Sequence, residues 1–288
     1  MGFEASRERR FVSNQARKSG VFLWERDKFL SNLKPKPLSD TFFILGAGSS
    51  INNLSLGNFN EIASHYSVGV NTWPVHSFVP DFYSFECVSW IGDGFDLSRA
   101  LQSLGRKDIL EAKPPILLLR LKTDSEISQL QALPKGFQGP LFFYGRVSPS
   151  TRKESNLEGD LTWFHKTQNN STPQIVVDSG ASIVRMISLG IFLGYRRIVL
   201  TGVDLNNSPY FWQENDFYAP QLRQFPVYSR QTGPSHETLD TARRPFTSTD
   251  MIRELAHVVT NSFDGTIYVS SQESSLASIL PIYPWSDL

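Results

Sequence analysis

Short apolar blocks recur along the chain, and several of them are almost continuous over five or six residues. Such runs are typical of strands that are buried on both faces of a parallel sheet. Polar or glycine-rich turns bound most of them, which sets the ends of the predicted strands. The predicted strands are Thr41–Leu45, Ser67–Asn71, Pro80–Glu86, Pro115–Arg120, Pro140–Tyr144, Gln174–Val177, Arg197–Thr201 and Thr266–Ser270.

Other blocks place apolar residues at steps of three and four, which predicts amphipathic helices between the strands. The clearest follows Ser182, carries Ile183, Met186 and Ile187 on one face, and reaches a suitable stop at Gly194. A Thr-x-x-Asp capping box opens another. The remaining predicted helices are Val21–Leu33, Leu97–Leu110, Ser125–Leu133, Thr247 to about Ser262, and Glu273–Leu280.

The alternation of strands and helices predicts an α/β protein with a Rossmann-like, open and mostly parallel sheet that carries helices on both faces. Residues 1–38 read as a basic, amphipathic arm followed by a Lys-Pro-Lys-Pro linker. Residues 39–288 read as one domain. Within it, residues 145–173 and 205–246 lack clear periodicity, and we interpret them as long substrate loops or a lid.

Composition narrows the class of protein. Hydrophobic residues make up 40% of the chain and the formal net charge is zero, which fits a globular protein without a general nucleic-acid surface. Cys87 is the single cysteine, so one chain can form neither a disulfide nor a cysteine-based zinc site, as suits a reducing compartment. Neither a secretory signal nor a membrane-spanning run is recognisable, so we expect a cytoplasmic protein.

A glycine-rich turn directly follows the first strand of the predicted domain. Gly46 and Gly48 would let the backbone approach a ligand, while Ser49 and Ser50 supply hydroxyl donors. Ile51 stands where the dinucleotide fingerprint has its third glycine, so we do not expect NAD or FAD. The lysine of a P-loop is also missing.

Three further positions lie where open α/β sheets bind ligands. Ser179 and Gly180 precede a helix whose free N–H groups favour an anion, with Ser182 at its start. Asp204 comes just past the next strand. Asn71 ends the second predicted strand of the domain, and its amide both donates and accepts hydrogen bonds. Ordinary core packing and helix capping would explain the same residues without a ligand.

Four stretches together resemble the bacterial single-domain sialyltransferases that use CMP-activated sialic acid, glycosyltransferase family 42. They are FFILGAGSSI, VGVN, SGASIVRMISLGIFLGYRRIVLTGVDL, and TSTDMIRELAHVV with GTIYVSSQESSLASILP. In that family a strand leads to Gly-x-Gly-x-Ser, another ends on asparagine, and Ser-Gly precedes a helix, an apolar strand and Gly-Ile-Asp. The resemblance spans about residues 40–285. Transferases for Kdo and other nonulosonic acids share this general plan.

The resemblance implies a site for a CMP-sugar. The glycine-rich turn would line the phosphate or ribose, the asparagine would contact the phosphate region, and the Ser-Gly turn would hold the sugar carboxylate or the cytidine. The residues implied in binding the nucleotide sugar are Gly46, Gly48, Ser49, Ser50, Asn71, Ser179, Gly180 and Ser182.

The resemblance also implies catalytic roles. The family has tyrosines after Gly-Ile-Asp that hydrogen-bond the departing phosphate; Asn206 occupies the first such position here, and Tyr210 is the nearest candidate for the second. A histidine before the final capped helix is the family's general base. His236 is the candidate here, although Pro245 stands at the family's closer spacing. We expect no cofactor and no metal, since donors and tyrosine hydroxyls can stabilise the phosphate.

Several alternatives remain open. Asp204 either orients the loop backbone or is the nucleophile of a retaining CMP-Kdo transferase. A nucleotide-binding protein that is not a transferase, similar to pterin pyrophosphokinases, has comparable turns. The expected partners are the CMP-sugar and a glycan or glycolipid acceptor of surface polysaccharide or lipooligosaccharide synthesis. The family often forms homo-oligomers, and residues 1–33 suggest peripheral contact with an inner membrane face.

Overall fold

The computed structural model describes residues 2–19, 22–23, 39–71, 73–86, 115–120, 139–151, 153–167, 175–206, 208–213 and 245–286. Within them nine strands form one sheet in which every pairing is parallel. The strands are β1 (Phe22–Leu23), β2 (Thr41–Leu45), β3 (Tyr66–Val70), β4 (Phe82–Glu86), β5 (Ile116–Arg120), β6 (Leu141–Val147), β7 (Ile175–Val177), β8 (Arg197–Thr201) and β9 (Thr266–Val269).

The sheet order is β1-β6-β5-β4-β3-β2-β8-β9, and β7 pairs with β6 beside β1. The chain therefore leaves β2 toward β3 on one side, while β8 leads to β9 on the other. The boundary between β2 and β8 is thus a point where the direction of winding reverses. In open α/β sheets, ligands bind outside the carboxyl ends of the strands at such a point.

Helices cover both faces of the sheet, as the sequence predicts. One face packs against α3, α4 and α5, and the other against α1 and α2. In β2 the side chains alternate between the two cores: Phe42 and Ile44 join the first, Phe43 and Leu45 the second. The helices are α1 (Gly2–Ser19), α2 (Leu56–Ser64), α3 (Leu157–Thr167), α4 (Ser182–Leu193) and α5 (Ser248–Phe263).

The helix ends follow the local sequence signals. Gly194 adopts a left-handed conformation with φ of 87° and ends α4, since only glycine enters that region without a steric cost. Thr247 accepts a hydrogen bond from the Asp250 backbone, and the Asp250 side chain accepts one from the Thr247 backbone. The predicted capping box of α5 is thereby confirmed.

Three predictions of local structure are corrected. Residues 145–173 are not one long loop, because β6 continues to Val147 and α3 occupies Leu157–Thr167. The final predicted helix is a short 3-10 turn at Ser275–Ser278. Phe22 and Leu23 form a strand instead of beginning a helix. The predicted helices at 97–110 and 125–133, and most of the 205–246 loop, lie outside the described residues.

The amino-terminal helix α1 packs on the sheet beside β6. Val12 is fully buried, and the Glu8 carboxylate accepts a hydrogen bond from the Arg146 backbone at 3.2 Å. Gly145 provides the room, since a Cβ there would lie 2.7 Å from Glu8 Cγ and 3.1 Å from Val12 Cγ2. No helix within the described ranges has the length and apolar character needed to cross a membrane.

Candidate active site

Two loops meet where the winding of the sheet reverses. Asp204, in the loop after β8, is only 5% exposed, and both of its carboxylate oxygens accept hydrogen bonds from Ser50. The Ser50 backbone donates at 3.1 Å and its hydroxyl at 2.5 Å, across 154 residues of sequence. This geometry suits a carboxylate that fixes the turn after β2, because both oxygens are engaged and water is excluded.

The glycines of the first turn are required by this contact between loops. A Cβ at Gly46 would lie 2.4 Å from the Gly202 carbonyl oxygen, and one at Gly48 would lie 2.2 Å from Asp204 Oδ2. The Gly46 and Gly48 backbones also donate to Thr201 and Gly202 carbonyls at 2.7 and 2.8 Å. Close approach of two backbones therefore accounts for these glycines, in addition to any role beside a ligand.

Substituting Gly48 by alanine is expected to destabilise the protein by about 1–3 kcal/mol, because the added methyl group overlaps a buried, hydrogen-bonded carboxylate. Chemical denaturation measures the change. Gly159→Ala is the matched control: a Cβ at this α3 position meets nothing within 4 Å. It should be neutral or stabilising, since alanine favours helix. Equal stability of Gly48→Ala and wild type would contradict the proposed crowding.

Tyr210 lies against the same turn. It forms an isolated backbone bridge with Gly48, and the following Phe211 backbone donates to the Ala47 carbonyl at 3.0 Å. The Tyr210 ring stacks on Trp212 with ring centroids 5.2 Å apart. Residues 208–213 thus bring the predicted tyrosine next to the glycine-rich turn, although Tyr210 and Gly48 are 162 positions apart in the sequence (210 − 48).

Asn71 and Ser182 are in direct contact. The Ser182 hydroxyl donates to Asn71 Oδ1 at 3.0 Å, joining the end of β3 to the start of α4 across 111 residues. Asn71 has φ of 54°, a left-handed conformation that asparagine tolerates better than most side chains. The predicted asparagine and the predicted helix start therefore belong to one local structure.

The Asp178 carboxylate holds the turn that precedes α4. Asp178 Oδ1 accepts a hydrogen bond from the Gly180 backbone at 2.6 Å, and Gly180 has φ of 86°. That N–H group is consequently engaged by the protein. The Ser179 hydroxyl oxygen is buried and has no hydrogen-bond partner among the described residues. Ala181 caps α4 without a side-chain hydrogen bond, so the helix start remains a place where an anion is favoured.

A cluster of charges that the sequence pattern did not predict surrounds the Asp178 carboxylate. Arg185 and Arg146 each approach Asp178 at 3.0 Å, and Arg120 lies at 3.9 Å. Burial raises the pKa of Asp178, but the three guanidinium groups outweigh that effect and the pKa lies below its ordinary value. A visible signal was Arg120, a charged residue that closes a leucine-rich strand.

One predicted position is not placed. His236, the candidate general base, lies outside the described residues. One group in the described part of the chain has metal-ligating geometry, with ligand atoms within 4.8 Å of one another. It consists of Glu158, Glu254 and His257 on α3 and α5, and includes none of the predicted site residues.

No family model and no curated protein matches the sequence. Solved structures of sialyltransferases are similar in overall arrangement. CstII from Campylobacter jejuni, in complex with the substrate analogue CMP-3FNeuAc, is 12% identical over 85% of this chain and 86% of that chain, with a TM-score of 0.44. A single-substitution variant of the sialyltransferase CST-II in complex with CMP is 14% identical over 86% of this chain and 88% of that chain, with a TM-score of 0.48.

An alpha-2,3-sialyltransferase from Campylobacter jejuni in apo form is 14% identical over 88% of this chain and 83% of that chain, with a TM-score of 0.43. At these identities the likeness concerns the fold alone.

Proposed function

We propose that the chain is a glycosyltransferase that moves sialic acid or a related ulosonic acid from a CMP-sugar to a glycan hydroxyl. The acceptor would be a surface polysaccharide or lipooligosaccharide. The reaction would use no metal and no cofactor. The proposed site is built from the glycine-rich turn, Asn71, Ser179, Gly180 and Ser182.

The proposal rests on the contacts between residues of motifs that are distant in the sequence. Residues of the separate motifs that resemble the sialyltransferases meet at the carboxyl ends of the strands: Ser50 with Asp204, Asn71 with Ser182, and Gly48 with Tyr210. A nucleotide-sugar site requires such a set of hydroxyl, amide and backbone donors beside a helix start. Each of these contacts directly joins residues that are distant in sequence, whereas parallel strands alone would only place them at the same edge of the sheet.

The chemistry places distinct demands on these groups. A CMP-ulosonate loses CMP through an oxocarbenium-like transition state, so the protein must stabilise phosphate charge as the bond breaks. Tyr210 and the start of α4 are proposed for that task. A base must also remove the proton of the acceptor hydroxyl, and His236 is the proposed base because imidazole titrates near neutral pH.

Asp204 is assigned to orienting the turn after β2, not to nucleophilic attack. Its two oxygens accept hydrogen bonds from Ser50 and it is almost completely buried. A nucleophile needs a free oxygen lone pair directed at the reacting carbon. A one-step displacement with an external base is therefore favoured over a covalent intermediate on Asp204.

Thermal stability measured with CMP, UMP, GDP and NAD in parallel tests the donor class. CMP alone should raise the melting temperature, because a ligand that binds only the native state stabilises it by about 2.7 kcal/mol at about 100 times its Kd. Turnover of CMP-sialic acid and CMP-Kdo then separates the two sugars. Stabilisation by NAD or GDP without CMP would remove the transferase proposal and leave a nucleotide-binding protein of another class.

A further inference from the structure

A chain of hydrogen bonds links the buried Asp178 to Asn71. Arg185 donates through Nη1 to Asp178 Oδ1 at 3.0 Å and through Nη2 to the Ser182 hydroxyl oxygen at 2.7 Å. Ser182 in turn donates to Asn71 Oδ1 at 3.0 Å. Arg185 and Asp178 are each 1% exposed, so the hydrogen bond between these two residues is shielded from water.

The direction of these bonds follows from the chemistry of each group. A guanidinium group can only donate, so the Ser182 oxygen accepts from Arg185. The single hydroxyl hydrogen of Ser182 is then free to point at the Asn71 carbonyl oxygen. An asparagine whose oxygen is fixed in this way must turn its nitrogen to the opposite side, and that nitrogen carries two donors.

The backbone of Asn71 reinforces this orientation. Its left-handed φ of 54° and the hydrogen bond from its N–H to the Ser84 carbonyl, at 3.2 Å, fix the residue at the end of β3. No described residue engages the Asn71 Nδ2 group. Pre-oriented donors of this kind bind an anionic oxygen more strongly than a freely rotating amide, because little reorganisation is needed.

We propose that Asp178, Arg185 and Ser182 are positioning residues that hold the Asn71 amide with its N–H groups directed at an oxyanion of the bound CMP-sugar. This inference rests on the proposed function. The oxyanion is either the phosphate or the sugar carboxylate. Both anions present oxygen atoms that accept hydrogen bonds. CMP carries only the phosphate, whereas CMP-sialic acid carries the phosphate and the carboxylate, so comparing the two ligands distinguishes them.

A double-mutant cycle tests the coupling. The variants are Ser182→Ala, Asn71→Ala and the double substitution, and isothermal titration measures the Kd of CMP and of CMP-sialic acid. Each single substitution should weaken binding roughly 10-fold, and the double substitution should weaken it no further. Ser182→Thr, which retains the hydroxyl, should restore most of the affinity.

Ser188→Ala is the matched control. Ser188 lies in the same helix and is 1% exposed, whereas Ser182 is half-buried; the Ser188 hydroxyl accepts from the Val177 backbone at 3.0 Å and plays no part in the hydrogen bonds that lead to Asn71. Its loss should leave the Kd unchanged. Melting temperatures of the ligand-free variants show whether each protein is folded.

The ligands separate the two sources of the oxyanion. Weakened binding of both CMP and CMP-sialic acid assigns the phosphate, whereas weakened binding of CMP-sialic acid alone assigns the carboxylate. Additive losses in the double variant, or an unchanged Kd in Ser182→Ala, would overturn the inference while leaving the proposed function intact.

A wild-type chain that binds neither ligand would instead overturn the proposed function.

In that case a crystal structure of ligand-free Ser182→Ala decides whether Ser182 positions the Asn71 amide. The hydrogen-bond chain requires the Asn71 amide to leave its position once the hydroxyl is removed. An amide that stays in place shows that Ser182 does not position it.

Discussion

Replacing Asp178 by asparagine is expected to lower the free energy of unfolding by about 3–5 kcal/mol, because it removes the carboxylate from a buried group of guanidinium ions. Arg185 and Arg120 are 1% and 2% exposed, so water cannot take over the role of the lost charge. Arg146 is 38% exposed and can turn to solvent. The cost therefore arises mainly from the two buried arginines.

Denaturant unfolding of the full chain measures this loss, and Asp264→Asn is the control. Asp264 is 91% exposed and pairs with Arg196 at 3.3 Å, also at the surface. Its left-handed φ of 51° is compatible with asparagine. Removing that exposed pair should change stability by less than about 1 kcal/mol. Similar losses in both variants would contradict the special position of Asp178.

Acidification is expected to destabilise the protein through His165. This residue of α3 is 8% exposed, it packs edge-to-face against the rings of Phe164 and Phe263, and neither ring nitrogen has a hydrogen-bond partner among the described residues. Burial disfavours the imidazolium form and lowers the pKa of His165 from 6.5 to about 3.

The sign of the effect follows from proton binding. Above about pH 6.5 the histidine is neutral in both states and contributes no pH dependence. As the pH falls further, the unfolded chain binds a proton that the native state does not bind until about pH 3. Stability should therefore fall by about 1.4 kcal/mol per pH unit in this window, or roughly 3 kcal/mol by about pH 4.

His165→Leu isolates this contribution. Leucine fits an apolar site without a titrating group, so the variant should match or exceed wild type near neutral pH and lose less stability on acidification. The unfolding free energies of the two proteins are compared from about pH 7 to about pH 4, and their difference cancels the contributions of all other titrating groups. One such group is Asp178, whose lowered pKa means that its contribution to stability is lost only at still lower pH. If the unfolding free energies of the two proteins fall in parallel with pH, the native state binds a proton at His165 as readily as the unfolded chain does, which would contradict the lowered pKa of this residue.

The sheet was predictable because the sequences of its central strands are continuous apolar runs. Phe42–Leu45 and Ile198–Leu200 are buried on both faces, and burial of that kind leaves no alternative to an apolar sequence. Helix α1 was missed for the opposite reason. Its sequence is polar and basic, and among its described side chains Val12 is the buried one, in the space left at Gly145.

The place of the candidate site was predictable where it lies next to a strand end, as with Asn71 and the glycine-rich turn. Arg120 signals a buried charge, but the partners in the charge cluster were not predictable, because they depend on which strand ends are neighbours in space. Arg120 and Asp178 belong to β5 and to the loop after β7, which come close only because β6 pairs with both β5 and β7. Local pattern specifies the strands, whereas the order of nonadjacent strands is decided by packing of the whole sheet.

The outer edge of β6 is shared end to end by two short strands from distant parts of the chain. β1 pairs with its first half and β7 with its second half, and α1 lies over the same region. Deleting residues 1–33 would expose unpaired backbone groups along half of that edge, which invites strand-to-strand aggregation and nonspecific adsorption to vesicles. Membrane contact is therefore better tested by reversing the charges of the exposed Arg7, Arg10 and Arg17, which leaves the strand pairing whole.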